Sequence, residues 1–293
     1  MHSHRRHTHI FFLRAGRVGA GELCCNEMKI LLFGGAGFIG EYLAKNLAGR
    51  DGCELKIIDR YSKERGKDLD VEMIVVLTQP GSPVSDILIP AITASKKLKK
   101  IVYLSTLLIY PDSSEKQDEN IQPDPKTEYE RNKYQEELML EKAAKKIGCQ
   151  LCIARLSNVY GDVKNRGIIN YIILSAIKGN LLTVYGDKDK KIRDYIFIED
   201  AANLLEFLIF YKQQNLKEIF NICTGSAYSI QELIDMAERV TGRKINFEKG
   251  APTLEKLINI GDNQKILALS HYKLKYNLAH GLKKTYKNYL RTV

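Results

Sequence analysis

Between Met28 and Gly40 the chain reads Met-Lys-Ile-Leu-Leu-Phe-Gly-Gly-Ala-Gly-Phe-Ile-Gly, and few folds accept such a stretch. Ile30 to Phe33 is an apolar run with the length of one buried parallel strand. It enters Gly34, Gly35, Gly37 and Gly40 directly, after which Tyr42, Leu43 and Leu47 recur at helical spacing. Strand, glycine turn and helix together aim a helix N-terminus at an anion, through free N–H groups and the helix dipole. Only glycine lets the backbone come that close to a phosphate.

Taken alone, such a turn reads just as well as one that binds nothing. The next segment decides. Leu55-Lys-Ile-Ile58 is a second apolar run, and it ends in Asp59. An acid at the tip of a second strand accepts from both hydroxyls of an adenosine ribose and repels a 2′-phosphate. The pattern therefore predicts NAD in preference to NADP, although the adjacent Arg60 tolerates that phosphate. The expected dinucleotide contacts are Gly34, Gly37, Phe38, Ile39, Gly40, Asp59 and Arg60.

The rest of the chain alternates apolar runs with helical periods. The expected strands are 73–78, 100–106, 149–156, 181–185, 195–198, 219–223 and 244–247; the main helices fall at 86–97, 168–178, 200–211 and 230–241, with a helical tail from 264 to 290. This predicts an α/β fold: a Rossmann-type doubly wound parallel sheet and a smaller C-terminal α/β lobe for substrate. Residues 60–72 are too few for the usual third strand and its crossover, so that strand is expected to be missing. The dinucleotide domain should span 28–165, with a return to it at about 195–224, and 166–293 should form mainly the substrate lobe. Residues 1–27 carry His2, His4, His7 and His9 among arginines and read as an extension outside the fold, with the natural start at Met28; a metal-binding or targeting tract fits the composition as well.

Charge and cysteine content exclude several classes. The net charge of +10 is spread over mixed Lys/Glu segments, which is a solvated surface and not a nucleic-acid patch. No apolar run is long enough to cross a membrane. Cys149 and Cys152 form a C-x-x-C on an apolar strand with no second ligand pair, so buried thiols are expected, no metal site, and a reducing, cytoplasmic setting.

The chemistry is expected downstream. Ser105 and Thr106 end an apolar strand, where open parallel sheets bind ligands. Tyr129 and Lys133 stand at i and i+4, on one face of a helix. Moving a phenol from about 10 to about 7 requires about 4 kcal/mol, which one ammonium at ~4 Å and an effective dielectric of ~20 supplies. The pair can thus act as a general base, with Thr106 holding the same substrate hydroxyl. An exposed helix pair is the plainer reading, and Tyr160 with Lys164 repeats the spacing in a loop.

Several segments taken together resemble a known family. Gly34-x-x-Gly37-Phe-Ile-Gly40, Leu104-Ser-Thr-x-x-Ile-Tyr110, Tyr129-x-x-x-Lys133, Arg155-Leu-Ser-Asn-Val-Tyr-Gly161 and Arg193-Asp-Tyr-Ile-Phe-Ile-Glu-Asp200 are similar to the extended short-chain dehydrogenases/reductases, within them the NAD-dependent nucleotide-sugar epimerase/dehydratase group typified by UDP-glucose 4-epimerase. The resemblance runs from Met28 to about Leu290. It implies a hydride shuttle: Tyr129 takes the proton of a sugar hydroxyl, usually at C4, NAD takes the hydride, and return of hydride to the other face gives the epimer. It also implies that Lys133 holds the nicotinamide ribose, that Asn158 and Arg193 contact the nucleotide diphosphate, and that the enzyme is a homodimer through the 86–97 helix and the helix of Tyr129. For Arg193, an ion pair with Asp194 is the plainer reading. A 4-ketoreductase or dehydrogenase of the same group, and a non-catalytic NAD-binding scaffold, are the alternatives.

The departures from the group are specific. Leu107 and Leu108 stand where the 4,6-dehydratases carry Asp-Glu, which argues against dehydration. The Arg-x-Gly-Asp segment that clamps the diphosphate reads Ala251-Pro-Thr-Leu254, leaving Lys256 as its substitute. The group's Asn-x-x-Gly-Thr helix start is absent around Val84 to Pro90.

Overall fold

The computed structural model describes residues 28–58, 70–78, 84–252 and 256–292. The 1–27 extension and the Asp59 and Arg60 contacts expected from the sequence lie outside the described residues. The chain forms two compact units. One takes the described residues up to Leu104 with Glu136–Ile153 and Leu208–Glu218; the other takes Ser105–Gln135, Ala154–Phe207 and the described part of Ile219–Val293.

The first unit opens with β1 (Met28–Phe33), α1 (Phe38–Ala48), β2 (Cys53–Ile58) and β3 (Met73–Val76). A wide helical turn over Val84–Leu88 runs into α2 (Ile89–Ala94). β4 (Lys100–Thr106), α3 (Glu128–Ile147) and β5 (Gln150–Leu156) follow, each with residues in both units. Then come β6 (Asn158–Tyr160), α4 (Ile168–Lys178), β7 (Leu182–Val184), β8 (Ile192–Phe197), α5 (Ile198–Phe210) and β9 (Lys217–Ile222). The chain closes with β10 (Ala227–Ser229), α6 (Ile230–Thr241), β11 (Phe247–Lys249), β12 (Ile258–Asn259), α7 (Gln264–Ser270) and α8 (Leu278–Leu290).

The main sheet has the order β2-β1-β3-β4-β5-β9. β1 pairs parallel with β2, from Met28↔Cys53 to Phe33↔Ile58, and with β3 on its other side, from Ile30↔Met73. Every residue of β3 and β4 is buried, as unbroken apolar runs in a parallel sheet should be. Among the described residues β2 is the edge strand, because the next strand in the chain, β3, pairs with β1 and with β4. No further strand pairs with β2 among the described residues; residues 59–69, on which the expectation of a missing third strand rests, lie outside them. Lys100, buried at the start of β4, sends its ammonium to the carbonyls of Leu208, Ile209 and Tyr211 at the end of α5 and just beyond it, at 2.6, 3.3 and 2.6 Å. It satisfies acceptors that a helix terminus leaves open.

α2 is shorter than the 86–97 helix expected from the pattern. Pro90 lacks an N–H and fits only a first turn, so regular helix begins at Ile89, and it stops where Ser95 turns extended.

In the second unit β8 pairs parallel with β6 and β12 and antiparallel with β10, while β7 and β11 form a separate parallel pair. Ser229 and Glu232 close a reciprocal capping box that starts α6. The strand expected at 244–247 lies instead at Phe247–Lys249. Glu238 of α6 takes the Ile245 amide and the Lys244 ammonium, both at 2.8 Å, and ties those residues back to the helix. The expected helical tail is two helices. His271 adopts a left-handed φ of 52° and ends α7. The connection that follows is held by Asp200, which accepts from the Tyr272 hydroxyl at 2.7 Å and from the Lys275 and Tyr276 amides at 3.0 and 3.1 Å. Among the described residues no helix is long and apolar enough to cross a membrane.

Candidate active site

The glycine turn belongs to the first unit. Gly34 sits at φ +87°, a left-handed conformation that its missing side chain makes inexpensive, and donates to the Ile58 carbonyl at 2.7 Å. Gly37 is the N-cap of α1 and brings no side chain to it, so first-turn amides are left for an outside acceptor. Gly40 packs so tightly that a Cβ there would lie 2.3 Å from the Gly35 carbonyl oxygen. Backbone donors and a positive helix end fit a dinucleotide pyrophosphate. Gly34, Gly37, Phe38, Ile39 and Gly40 are the residues of this chain that would hold it.

The catalytic candidates belong to the second unit. β4 ends in Ser105 and Thr106, 6% and 7% exposed. The Thr106 hydroxyl accepts the Leu108 amide at 3.2 Å and starts a 3₁₀ turn over Leu107–Ile109. The buried Ser105 hydroxyl has no hydrogen-bond partner among the described residues, which suits a polar ligand at the strand tip. α3 begins with a second capping box. Thr127 accepts the Glu130 amide, and the Glu130 carboxylate accepts the amides of Thr127 and Lys126 at 3.2 and 2.6 Å. That start sets the phase of the helix. Tyr129 comes out 43% exposed and Lys133 only 4%, so an open phenol stands one turn from a buried ammonium. The rival pair does not share a helix: Tyr160 is buried in β6 against Phe197, and burial drives its phenol up.

The expected diphosphate residues are also in this unit. Asn158 is half-buried and donates to the Asp194 carbonyl at 3.0 Å. Arg193 is 5% exposed, and its guanidinium donates to the carbonyls of Lys256, Leu257 and Ile192. Asp194 accepts instead from Thr224 and Gly225, and burial pushes its carboxyl up to about 6. Lys256 does not open toward solvent as a substitute clamp would. Its ammonium pairs with Glu130 at 3.1 Å, both side chains 3% exposed, and donates to the Leu108 carbonyl at 2.5 Å. Sequence reasoning missed this pair. Thr127-x-x-Glu130 was readable as a capping pattern, but nothing local announces Lys256 as its partner. Cys149 and Cys152 are buried and in no disulfide, and burial pushes the Cys149 thiol up to about 12.

Comparison with known proteins points one way. Residues 84–223 match the sequence model of the NAD dependent epimerase/dehydratase family. The chain is 24% identical over 262 residues to UDP-glucuronic acid decarboxylase 1 of Xenopus tropicalis, covering 74% of this chain and 61% of that one. It is 24% identical over 284 residues to UDP-glucose 4-epimerase of Lactobacillus helveticus, covering 76% and 84%. The chain thus spans only about three-fifths of the decarboxylase relative's length. The crystal structure of UDP-glucuronic acid 4-epimerase from Bacillus cereus, in complex with UDP-glucuronic acid and NAD, superposes with a TM-score of 0.81 over 91% of this chain and 100% of that one, at 22% identity. At that identity the likeness is one of fold.

Proposed function

We propose that the chain is a member of the NAD-dependent epimerase/dehydratase family, whose sequence model matches residues 84–223, and that it epimerises a nucleotide-diphosphate sugar by transient oxidation at C4. One observation carries the reading: α3 presents an exposed Tyr129 one turn from a buried Lys133. A buried ammonium is poorly screened, so it stabilises a nearby phenolate more than a surface lysine does. Tyr129 takes the proton of the sugar hydroxyl and later returns it. Thr106 orients that hydroxyl from the tip of β4, and Ser105, with its unpartnered buried oxygen, holds a neighbouring sugar oxygen. NAD, when bound, supplies the hydride acceptor, and the Gly34–Gly40 turn is the part of this chain suited to its pyrophosphate. Leu107 and Leu108 offer no acid or base for eliminating water.

The test is the purified chain with NAD and a panel of UDP-, dTDP- and GDP-sugars, UDP-glucuronic acid among them. Epimer should accumulate without net NADH, and Tyr129→Phe should abolish it. Stoichiometric NADH consumption with a 4-keto sugar would make the enzyme a ketoreductase; binding of NAD with no turnover of any sugar would make it a scaffold. We also infer a homodimer in solution, which a monomer mass by light scattering at micromolar concentration would reject.

A further inference from the structure

The Lys256 ammonium bridges two pieces of the second unit that are distant in sequence. It meets the Glu130 carboxylate of α3 and the Leu108 carbonyl of the 3₁₀ turn that begins at Thr106. Its own segment is fastened to the same turn. Asn259 donates to the Leu107 carbonyl at 3.0 Å, and Asp112 accepts the amides of Leu257 and Ile258, both at 2.8 Å. Arg193, buried beneath, holds the carbonyls of Lys256 and Leu257. Lys256, Asn259 and Asp112 therefore tie 256–259 to the stretch after Thr106 and, through Glu130, to the first turn of α3, while Arg193 ties it to β8.

We propose that Lys256 is a positioning residue: it locks the Thr106 turn to the Tyr129 helix and neutralises the buried carboxylate of Glu130, the residue that follows Tyr129 on α3. The charge argument is direct. Glu130 immediately follows Tyr129, and it is buried. An uncompensated carboxylate there opposes phenolate formation, against the help that Lys133 gives. Lys256 is the cation that cancels it. Of the charged groups next to this pair in the chain, Lys126 pairs with Asp124 at 2.8 Å, Arg131 donates to the Lys126 carbonyl, Asp112 takes backbone amides, and Glu128 is exposed to solvent. A buried pair is also costly to break on one side, because the survivor keeps its desolvation penalty.

The proposal rests on Tyr129 being the base, and its test does not need turnover. The full chain is labelled with tyrosine carrying ¹³C at Cζ, and the Tyr129 resonance is assigned by its loss in Tyr129→Phe. Its titration midpoint is then followed in Lys256→Met, Glu130→Gln and the double variant. Lys256→Met should raise the midpoint by about one unit and Glu130→Gln should lower it, while the double variant returns near the parent. Gln keeps the acceptor that caps α3, so Glu130→Gln and the double variant carry the test if Lys256→Met alone does not fold. Midpoints that stay fixed, or that move in the same direction in both single variants, overturn the proposal. Opposite shifts in a chain that turns over no sugar would overturn the functional reading and leave this one standing.

Discussion

Gly40→Ala tests the glycine turn most sharply. The added Cβ would lie 2.3 Å from the Gly35 oxygen and 2.6 Å from the Gly35 carbonyl carbon and Cα. All three atoms are backbone, so no side chain can swing aside, and α1 or the turn must move by about 1 Å to reach ordinary contact. Overpacking of this kind costs about 1–3 kcal/mol. For 293 residues, at about 2.1 cal/mol/K of unfolding entropy each, every kcal/mol lowers Tm by roughly 2 °C. Because the strain falls on the atoms that frame the phosphate cradle, the same displacement should weaken NAD binding about ten- to a hundredfold. Gly49→Ala is the control: it lies in the C-cap of the same helix, and its Cβ would find nothing nearer than the Asn46 oxygen at 3.8 Å. It should be neutral or stabilise by up to about 1 kcal/mol. Thermal melts and calorimetric titration with NAD read both effects. Parental NAD affinity in Gly40→Ala, with a melt like that of Gly49→Ala, would refute the cradle.

Three further outcomes are expected. Tyr129→Phe should reduce turnover at least about 10²-fold while leaving the calorimetric NAD affinity unchanged. Lys100→Met should cost about 2–3 kcal/mol in urea melts, because carbonyls at the end of α5 lose a charged donor. The carboxyl of Asp194, raised to about 6 chiefly by burial, holds its proton longer in the folded chain than in the unfolded one. Its contribution is therefore full below about pH 4 and is lost as pH rises through 6, a change of about 3 kcal/mol. Urea melts of the parent and Asp194→Asn from pH 4 to 7 should show the parent's relative stability falling by that much. A constant gap between the two curves would refute the assignment.

Local pattern made some features legible and not others. The strand–glycine–helix start and the placement of Tyr129 and Lys133 one turn apart on α3 depend on neighbours a few residues apart, and periodicity carries that information. The split of the tail at His271 does not, because a non-glycine residue in a left-handed turn has weak sequence character and the tie to Asp200 is long-range. The displacement of the 244–247 strand has the same origin, a side-chain tie from Glu238. Arg193 and Lys256 show the limit most clearly. Both carry charges suited to a diphosphate, and only the fold reveals that one holds backbone carbonyls and the other pairs with Glu130.

The tie at Asp200 has a consequence for how the chain meets a protease. The connection between α7 and α8 has no regular structure and offers Lys273 and Lys275 to trypsin. Cleavage requires an extended backbone, yet the amides of Lys275 and Tyr276 are fixed on a carboxylate with no solvent exposure. Nicking there must wait for those bonds to open, so its rate at low trypsin follows the opening equilibrium of this corner and not global unfolding. One buried acid thus makes an irregular segment behave, toward digestion, like part of a helix.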